Sequence, residues 1–350
     1  MKRRISARLL AAIAAIAAFA AALVALPSAV ASTAATAAVG TCQTLRIPVA
    51  LAPGGPADQT ISGTLCRPTS QPSASTVDVL VHGAGYNQSY WDWPVGGGSY
   101  SYVARTLAAG RATFAYDRLG VGASSHPLSA LVTTAADACA LHKVIGLMRG
   151  SGFSTVDVVG HSFGSVVAIE EAATYQDVDK LAVTGLLHSQ GLGLATVAAS
   201  FYPADIDPQF GLLFADPGYL TTLPGTRGSS FYNTATADPA VIAYDEAHKD
   251  AISGTELAAG IVETELPALT NPSRLITAPV LVLDGQQDGI FCGLTVDCTN
   301  LSWLLGEEAQ FYSGAARLSV ATVAGTGHDV ALHPSAAQSF AVIDQWITSG

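Results

Sequence analysis

Charge is scarce in this chain. Only 12% of its 350 residues are Asp, Glu, Lys or Arg, and the acidic ones outnumber the basic ones 27 to 16, for a formal net charge of −11. A shortage of cations on this scale argues against a nucleic-acid partner or an anionic membrane surface. Metal-binding signatures are missing too: there is no C-x-x-C and no H-E-x-x-H, so no metal is expected. The short G-x-G at 120–122 is too brief for a dinucleotide fingerprint and opens no immediate helix, so no organic cofactor is expected either. Beyond residue 26 no long apolar run occurs, which leaves nothing to cross a bilayer. What remains is a chain that is 49% hydrophobic, rich in Ala, Val and Gly, with the composition of a compact enzyme and not of a disordered segment.

The first 31 residues form a unit of their own. Lys2, Arg3, Arg4 and Arg8 precede an apolar stretch at 9–26, followed by Pro27 and the small-residue pattern Ala29-Val30-Ala31. That order reads as a secretory signal peptide at 1–31, which places the mature protein outside the cell with no stable membrane anchor. This segment holds four basic residues and no acidic one, so the remainder carries −15. Roughly 320 residues are enough for one large α/β domain with an insertion.

Five cysteines in an exported chain invite pairing. Cys42 and Cys66 flank two strand-like runs, 43–51 and 59–65, around the turn Ala52-Pro53-Gly54-Gly55-Pro56. Opposed positions of a hairpin centred on Gly54 bring 42 against 66, which predicts that bridge. Cys292 and Cys298 close a short loop by proximity, leaving Cys139 as a free buried thiol on an Ala-rich helix.

The chain is organised around residues 155–164. Val156, Val158 and Val159 read as a strand buried on both faces, and Gly160-His161-Ser162-Phe163-Gly164 follows, leading directly into an Ala/Val-rich helix. A serine held in a sharp strand-to-helix turn projects its hydroxyl clear of the backbone, making Ser162 the candidate nucleophile. Other strands are expected at 76–81, 111–116, 180–187, 279–283 and 318–323, with helices at 101–109, 134–149 and 336–347, an alternation that implies a mainly parallel sheet flanked by helices. The pattern lapses between 189 and 272. Eighty-odd residues are too many for a loop, so a largely helical cap is predicted there, with helices at 240–250 and 255–266. The core is thus divided into 32–188 and 273–350. Two aromatic groups suit either pocket lining or core: Tyr90, Trp91, Trp93, Tyr100 and Tyr102 in one loop, and Phe201, Phe210, Phe214, Tyr219, Phe231 and Tyr232 in the cap.

A serine hydroxyl needs a base, and the base needs a carboxylate to fix its tautomer. His328, in the Gly-rich loop after the last strand, is the best-placed base, with His333 in reserve. His82 and His161 sit inside motif turns and are expected to hold those turns, while His126, His142, His188 and His248 default to structural roles. Asp288, beyond the penultimate strand, is the expected acid; Asp284 abuts the strand end and suits a turn cap. Asp117 is expected to tie down its own glycine loop.

The ordered motifs Gly-His-Ser-Phe-Gly (160–164), His-Gly-Ala-Gly (82–85), Tyr-Asp-Arg-Leu-Gly-Val-Gly (116–122), Leu-Asp-Gly-Gln-Gln-Asp (283–288) and Gly-His (327–328) together resemble the α/β-hydrolase superfamily, and its secreted esterase and lipase-like members in particular. The resemblance implies an α/β-hydrolase fold and a Ser162–Asp288–His328 triad. It also implies an oxyanion hole formed by the backbone N–H groups of Ala84 and Phe163. Ala84 departs from the His-Gly-Gly-Gly form of the first turn, a change a backbone donor tolerates. The implied activity is hydrolysis of a small-molecule or lipid-like carboxylic ester without a cofactor. Lactone, thioester and amide cleavage use the same triad, and a catalytically inactive binding module can use the same scaffold. Serine at 162 argues against the dehalogenase and epoxide-hydrolase branches, which need a carboxylate nucleophile.

Overall fold

The computed structural model describes residues 39–189, 191–211 and 214–349. The expected leader at 1–31 lies outside the described residues. Two antiparallel strands open the fold, β1 (Gly40–Val49) and β2 (Gln59–Pro68), with Gly54 at φ +74° in the turn and Cys42 directly opposite Cys66. Those two cysteines are bridged, as are Cys292 and Cys298.

The core then alternates: β3 (Thr76–Val81), α1 (Tyr102–Ala108), β4 (Ala112–Asp117), α2 (Thr134–Gly150), β5 (Thr155–His161), α3 (Phe163–Tyr175) and β6 (Lys180–Thr184). After the insertion come β10 (Val280–Gly285), α8 (Leu301–Glu308), β11 (Ser319–Val323) and α9 (Ala336–Thr348). One sheet results, in the order β1-β2-β4-β3-β5-β6-β10-β11, parallel from β4 to β11. Its middle strands are buried along nearly their whole length, which is why they read as continuous apolar runs. Because the chain leaves β3 for β4 on one side and returns to β5 on the other, a crevice opens beyond the carboxyl ends of β3 and β5. Val81 pairs with Gly160 there, so the loops after the two strands meet.

The segment 189–272 contains α4 (Gly193–Ala198), α5 (Arg227–Phe231), α6 (Pro239–Ala247) and α7 (Gly254–Thr264). It also carries three short strands, β7 (Phe201–Pro203), β8 (Tyr219–Thr222) and β9 (Ile252–Ser253), paired as an antiparallel sheet. Two to four residues are too few to show a period-two pattern, so the sequence reading holds no strand in this stretch. For the same reason of length α8 is absent from it, and the strand expected at 180–187 stops at Thr184, where Gly185 turns to φ +60°.

Tyr90, Trp91, Trp93, Tyr100 and Tyr102 are all buried, and Tyr90–Trp91 and Trp91–Tyr102 pack edge to face with centroids 5.0 Å and 5.6 Å apart. They are core. Cys139 is free but only half-buried, where a buried thiol was expected.

Candidate active site

Ser162 is the point where β5 turns into α3. Its backbone sits at φ +52°, ψ −122°, a conformation that costs a non-glycine residue on the order of 1–3 kcal/mol. Surrounding bonds hold it there: Ser162 N–H donates to the Thr184 carbonyl at 2.8 Å, and the Ser162 carbonyl accepts from Ser165 N–H at 2.8 Å. The flanking glycines are sterically required. A Cβ at Gly160 would lie 2.7 Å from the Gly164 carbonyl oxygen, and one at Gly164 would run into the Val81 and His82 carbonyls.

His328 follows β11 and Asp288 follows β10, so parallel neighbours bring both to the same sheet edge. His328 Nδ1 lies 2.8 Å from Asp288 Oδ2, and both side chains are buried. The other Asp288 oxygen accepts from Ile290 N–H at 2.7 Å, which orients the carboxylate. His328 Nε2 is buried and has no hydrogen-bond partner, the Ser162 hydroxyl included. Such contacts are often long before substrate binds. The ring of His161, next to Ser162, lies 5.0 Å from that of His328.

Burial disfavours the imidazolium of His328, but the Asp288 charge and hydrogen bond outweigh it and hold its pKa above the usual histidine value. Burial likewise raises Asp288, and the His328 charge more than reverses that, leaving the carboxyl below its usual range. Asp284 differs. Burial, then the Asp288 charge, pushes it well above the carboxylate range; one oxygen accepts from Gly285 N–H at 2.7 Å. It caps the turn, as expected.

Three of the other histidines are occupied. His82 Nδ1 lies 2.9 Å from the Gly83 carbonyl and its Nε2 accepts from Arg118 N–H. His333 Nε2 accepts from Gly327 and Asn233 N–H groups, fixing the loop that carries His328. His161 Nε2 meets Asp329 Oδ1 at 3.1 Å. Asp117 accepts from Gln88 and Ala123 N–H groups, tying down its loop.

Ser162, Ala84 and Phe163 line one cleft. Phe163 is the first residue of α3, so its N–H is one of the first-turn donors without an intrahelical acceptor. The remaining walls are apolar, with Leu186, Leu194, Val197, Leu257 and Ile261 among them. Of the cap aromatics, Phe201 and Phe231 line the cleft, whereas Phe210, Phe214, Tyr219 and Tyr232 are buried in the packing.

A polar network behind the site is absent from the sequence reading. Tyr86 Oη lies 2.9 Å from Asp245 and 2.6 Å from Asp329; Asp245 also pairs with buried Arg227 at 2.8 Å and accepts from Tyr232. Its only sequence signal is that Asp329 follows His328. Arg118, from the 116–122 motif, pairs with Asp137 on α2 and Glu256 on α7, all buried.

A serine in a strained strand-to-helix turn, a histidine–carboxylate pair at the next strand ends and a mainly parallel eight-stranded sheet define a class of protein. The family model described as the alpha/beta hydrolase family matches residues 79–339, and the chain belongs to that family. No curated protein sequence matches it. Among solved structures it is similar to an esterase from Exiguobacterium antarcticum (16% identity, 87% of this chain and 99% of that one, TM-score 0.59). It is similar to a thermophilic esterase from Thermogutta terrifontis (17%, 87% and 98%, TM-score 0.58) and to a monoacylglycerol lipase from Paleococcus ferrophilus (16%, 89% and 98%, TM-score 0.53). At such identities the likeness is one of fold.

Proposed function

We propose that this protein is an exported serine hydrolase that cleaves carboxylic esters through an acyl-enzyme on Ser162. The observation that carries this reading is the strained Ser162 opening onto an apolar cleft, with a buried His328–Asp288 pair at the adjoining strand ends. Ser162 Oγ attacks the ester carbonyl while His328 Nε2 takes its proton, and Asp288 offsets the imidazolium charge. The N–H groups of Ala84 and Phe163 receive the oxyanion. The imidazolium then protonates the departing alcohol, and water, deprotonated by the same nitrogen, releases the acid. No step needs a metal or cofactor. An apolar cleft suits a hydrocarbon acyl or alcohol group, so the substrate is a small-molecule or lipid-like ester. The two bridges and the leader-like residues 1–31 support export.

Hydrolysis of short p-nitrophenyl esters tests the reading. Ser162→Ala should lower kcat by about three or more orders of magnitude with folding unchanged by circular dichroism. Turnover that survives this substitution, or a wild type inert toward esters of every chain length, refutes it. Running lactones, thioesters and peptide amides alongside identifies the bond actually preferred.

A further inference from the structure

Away from the cleft, helices α2 and α3 carry a cluster that the proposed chemistry does not use. His142 on α2, Glu171 on α3 and Asp177 just beyond the end of α3 present one ligand atom each, all within 4.8 Å of one another. His142 Nδ1 lies 2.7 Å from Asp177 Oδ2 and 3.7 Å from Glu171 Oε1. Donors about 2.0–2.2 Å from a tetrahedral Zn²⁺ stand roughly 3.3–3.5 Å apart, so these spacings bracket what one ion requires.

Glu171 is the informative member. Its side chain is wholly buried, no hydrogen bond of normal geometry reaches either carboxylate oxygen, and burial, with Asp177 close beside it, pushes the carboxyl up to about 10. Buried carboxylates are normally paired, hydrogen-bonded or bound to metal, and an orphan calls for an explanation. The neighbouring cation does not supply it: Arg149 is spent on the Ser154 and Asp177 carbonyls and on Asp179, 2.9 Å away. His142 is held in place by Tyr175, whose ring stacks on it at 4.0 Å with 9° between planes, and its side chain is 44% exposed, leaving water access on one side. The carboxyl end of α3 adds the negative pole of a 13-residue helix to two carboxylates.

We propose that His142, Glu171 and Asp177 form a binding site for a divalent first-row transition ion, Zn²⁺ by preference, that clamps α2 to the end of α3. One imidazole and two carboxylates are a borderline donor set, which suits Zn²⁺ better than Ca²⁺ or Mg²⁺. Three protein ligands leave a fourth position for water on the exposed side. The clamp is structural, since no ligand belongs to the cleft. Metal signatures in the sequence are local, whereas these ligands are 29 and 6 residues apart and meet only because α2 packs on α3. That is why a motif search finds none and His142 reads as structural.

Titration calorimetry of the full chain with ZnCl₂, after chelator treatment, tests the proposal. One equivalent should bind saturably, and Co²⁺ in its place should give the visible absorption of a low-symmetry site. Glu171→Gln and Asp177→Asn should each weaken binding at least tenfold and abolish the metal-dependent rise in Tm, while ester turnover stays within about twofold. Should Glu171→Gln not fold, His142→Ala, at a half-exposed position, gives the same comparison. Absence of saturable binding, or binding equal in wild type and variants, overturns the proposal. So does a metal-free Glu171→Gln that is more stable than the untreated wild type, because the site then favours a neutral side chain at 171 over a metal ligand.

Discussion

At the scale of single residues, the chemistry turns on where protons sit. Asp288 and Asp284 are four positions apart and both buried, yet burial and neighbours drive them in opposite directions, Asp288 down against the His328 charge and Asp284 up against the Asp288 charge. Under the proposed mechanism, these opposed shifts suit Asp288 to the counter-charge and Asp284 to the turn cap. For His328 the shift is upward, and a base must be neutral to accept a proton. Activity should therefore rise with pH through a midpoint above the ordinary histidine value of about 6.5. The acid limb of kcat/KM against pH measures it. In Asp288→Asn the main cause of the upward shift is gone, so the midpoint should move down, and kcat should fall by roughly 10⁴ as the tautomer is no longer fixed. A limb that stays in place in that variant contradicts the pairing.

At the scale of elements, the insertion is fastened to the core by α7. Glu256 accepts from Ser253 N–H in a capping box that starts the helix, and it also pairs with Arg118, which in turn reaches Asp137 on α2. The Arg118 guanidinium stands 4.8 Å over the ring of Phe163, and Phe163 fills the place a side chain at Gly260 would need. One buried triad thus couples helix start, cap position and the residue beside Ser162. Removing one partner breaks a buried charge-paired network, at a cost of about 3–5 kcal/mol. Glu256→Ala should lose stability on that scale in urea unfolding and also raise KM for apolar esters, since Leu257 and Ile261 of the same helix line the cleft. A loss confined to a few tenths of a kcal/mol places the anchor elsewhere.

At the scale of the whole molecule, the eight-stranded sheet has one antiparallel margin, and the Cys42–Cys66 bridge lies across its outer pair. Closing a 24-residue span restricts the unfolded chain, a contribution of roughly 2–4 kcal/mol. The double variant Cys42→Ala/Cys66→Ala should lower the urea midpoint accordingly while leaving kcat nearly unchanged, because β1 is remote from the strand ends that carry Ser162, His328 and Asp288. Reduction of the wild type should do the same, with an added effect from the Cys292–Cys298 bridge, which follows Asp288 directly.

The elements that were legible in the sequence are those whose evidence is local. The hairpin register, β3, β5, the turn at Ser162 and the order of serine, aspartate and histidine each rest on a few consecutive residues, because strand burial and turn sterics act over that range. The cap's short strands, the sorting of Phe201 and Phe231 into the cleft and of Phe210 and Phe214 into packing, and the Tyr86–Asp329–Asp245–Arg227 network were not legible. Which face an aromatic shows, and whether a buried carboxyl keeps its proton, depend on atoms dozens to hundreds of residues away. Sequence by itself determined the strand-turn-helix that presents Ser162; tertiary structure alone decided which distant charges desolvate one another, since burial and Coulomb energies are set by distance in space.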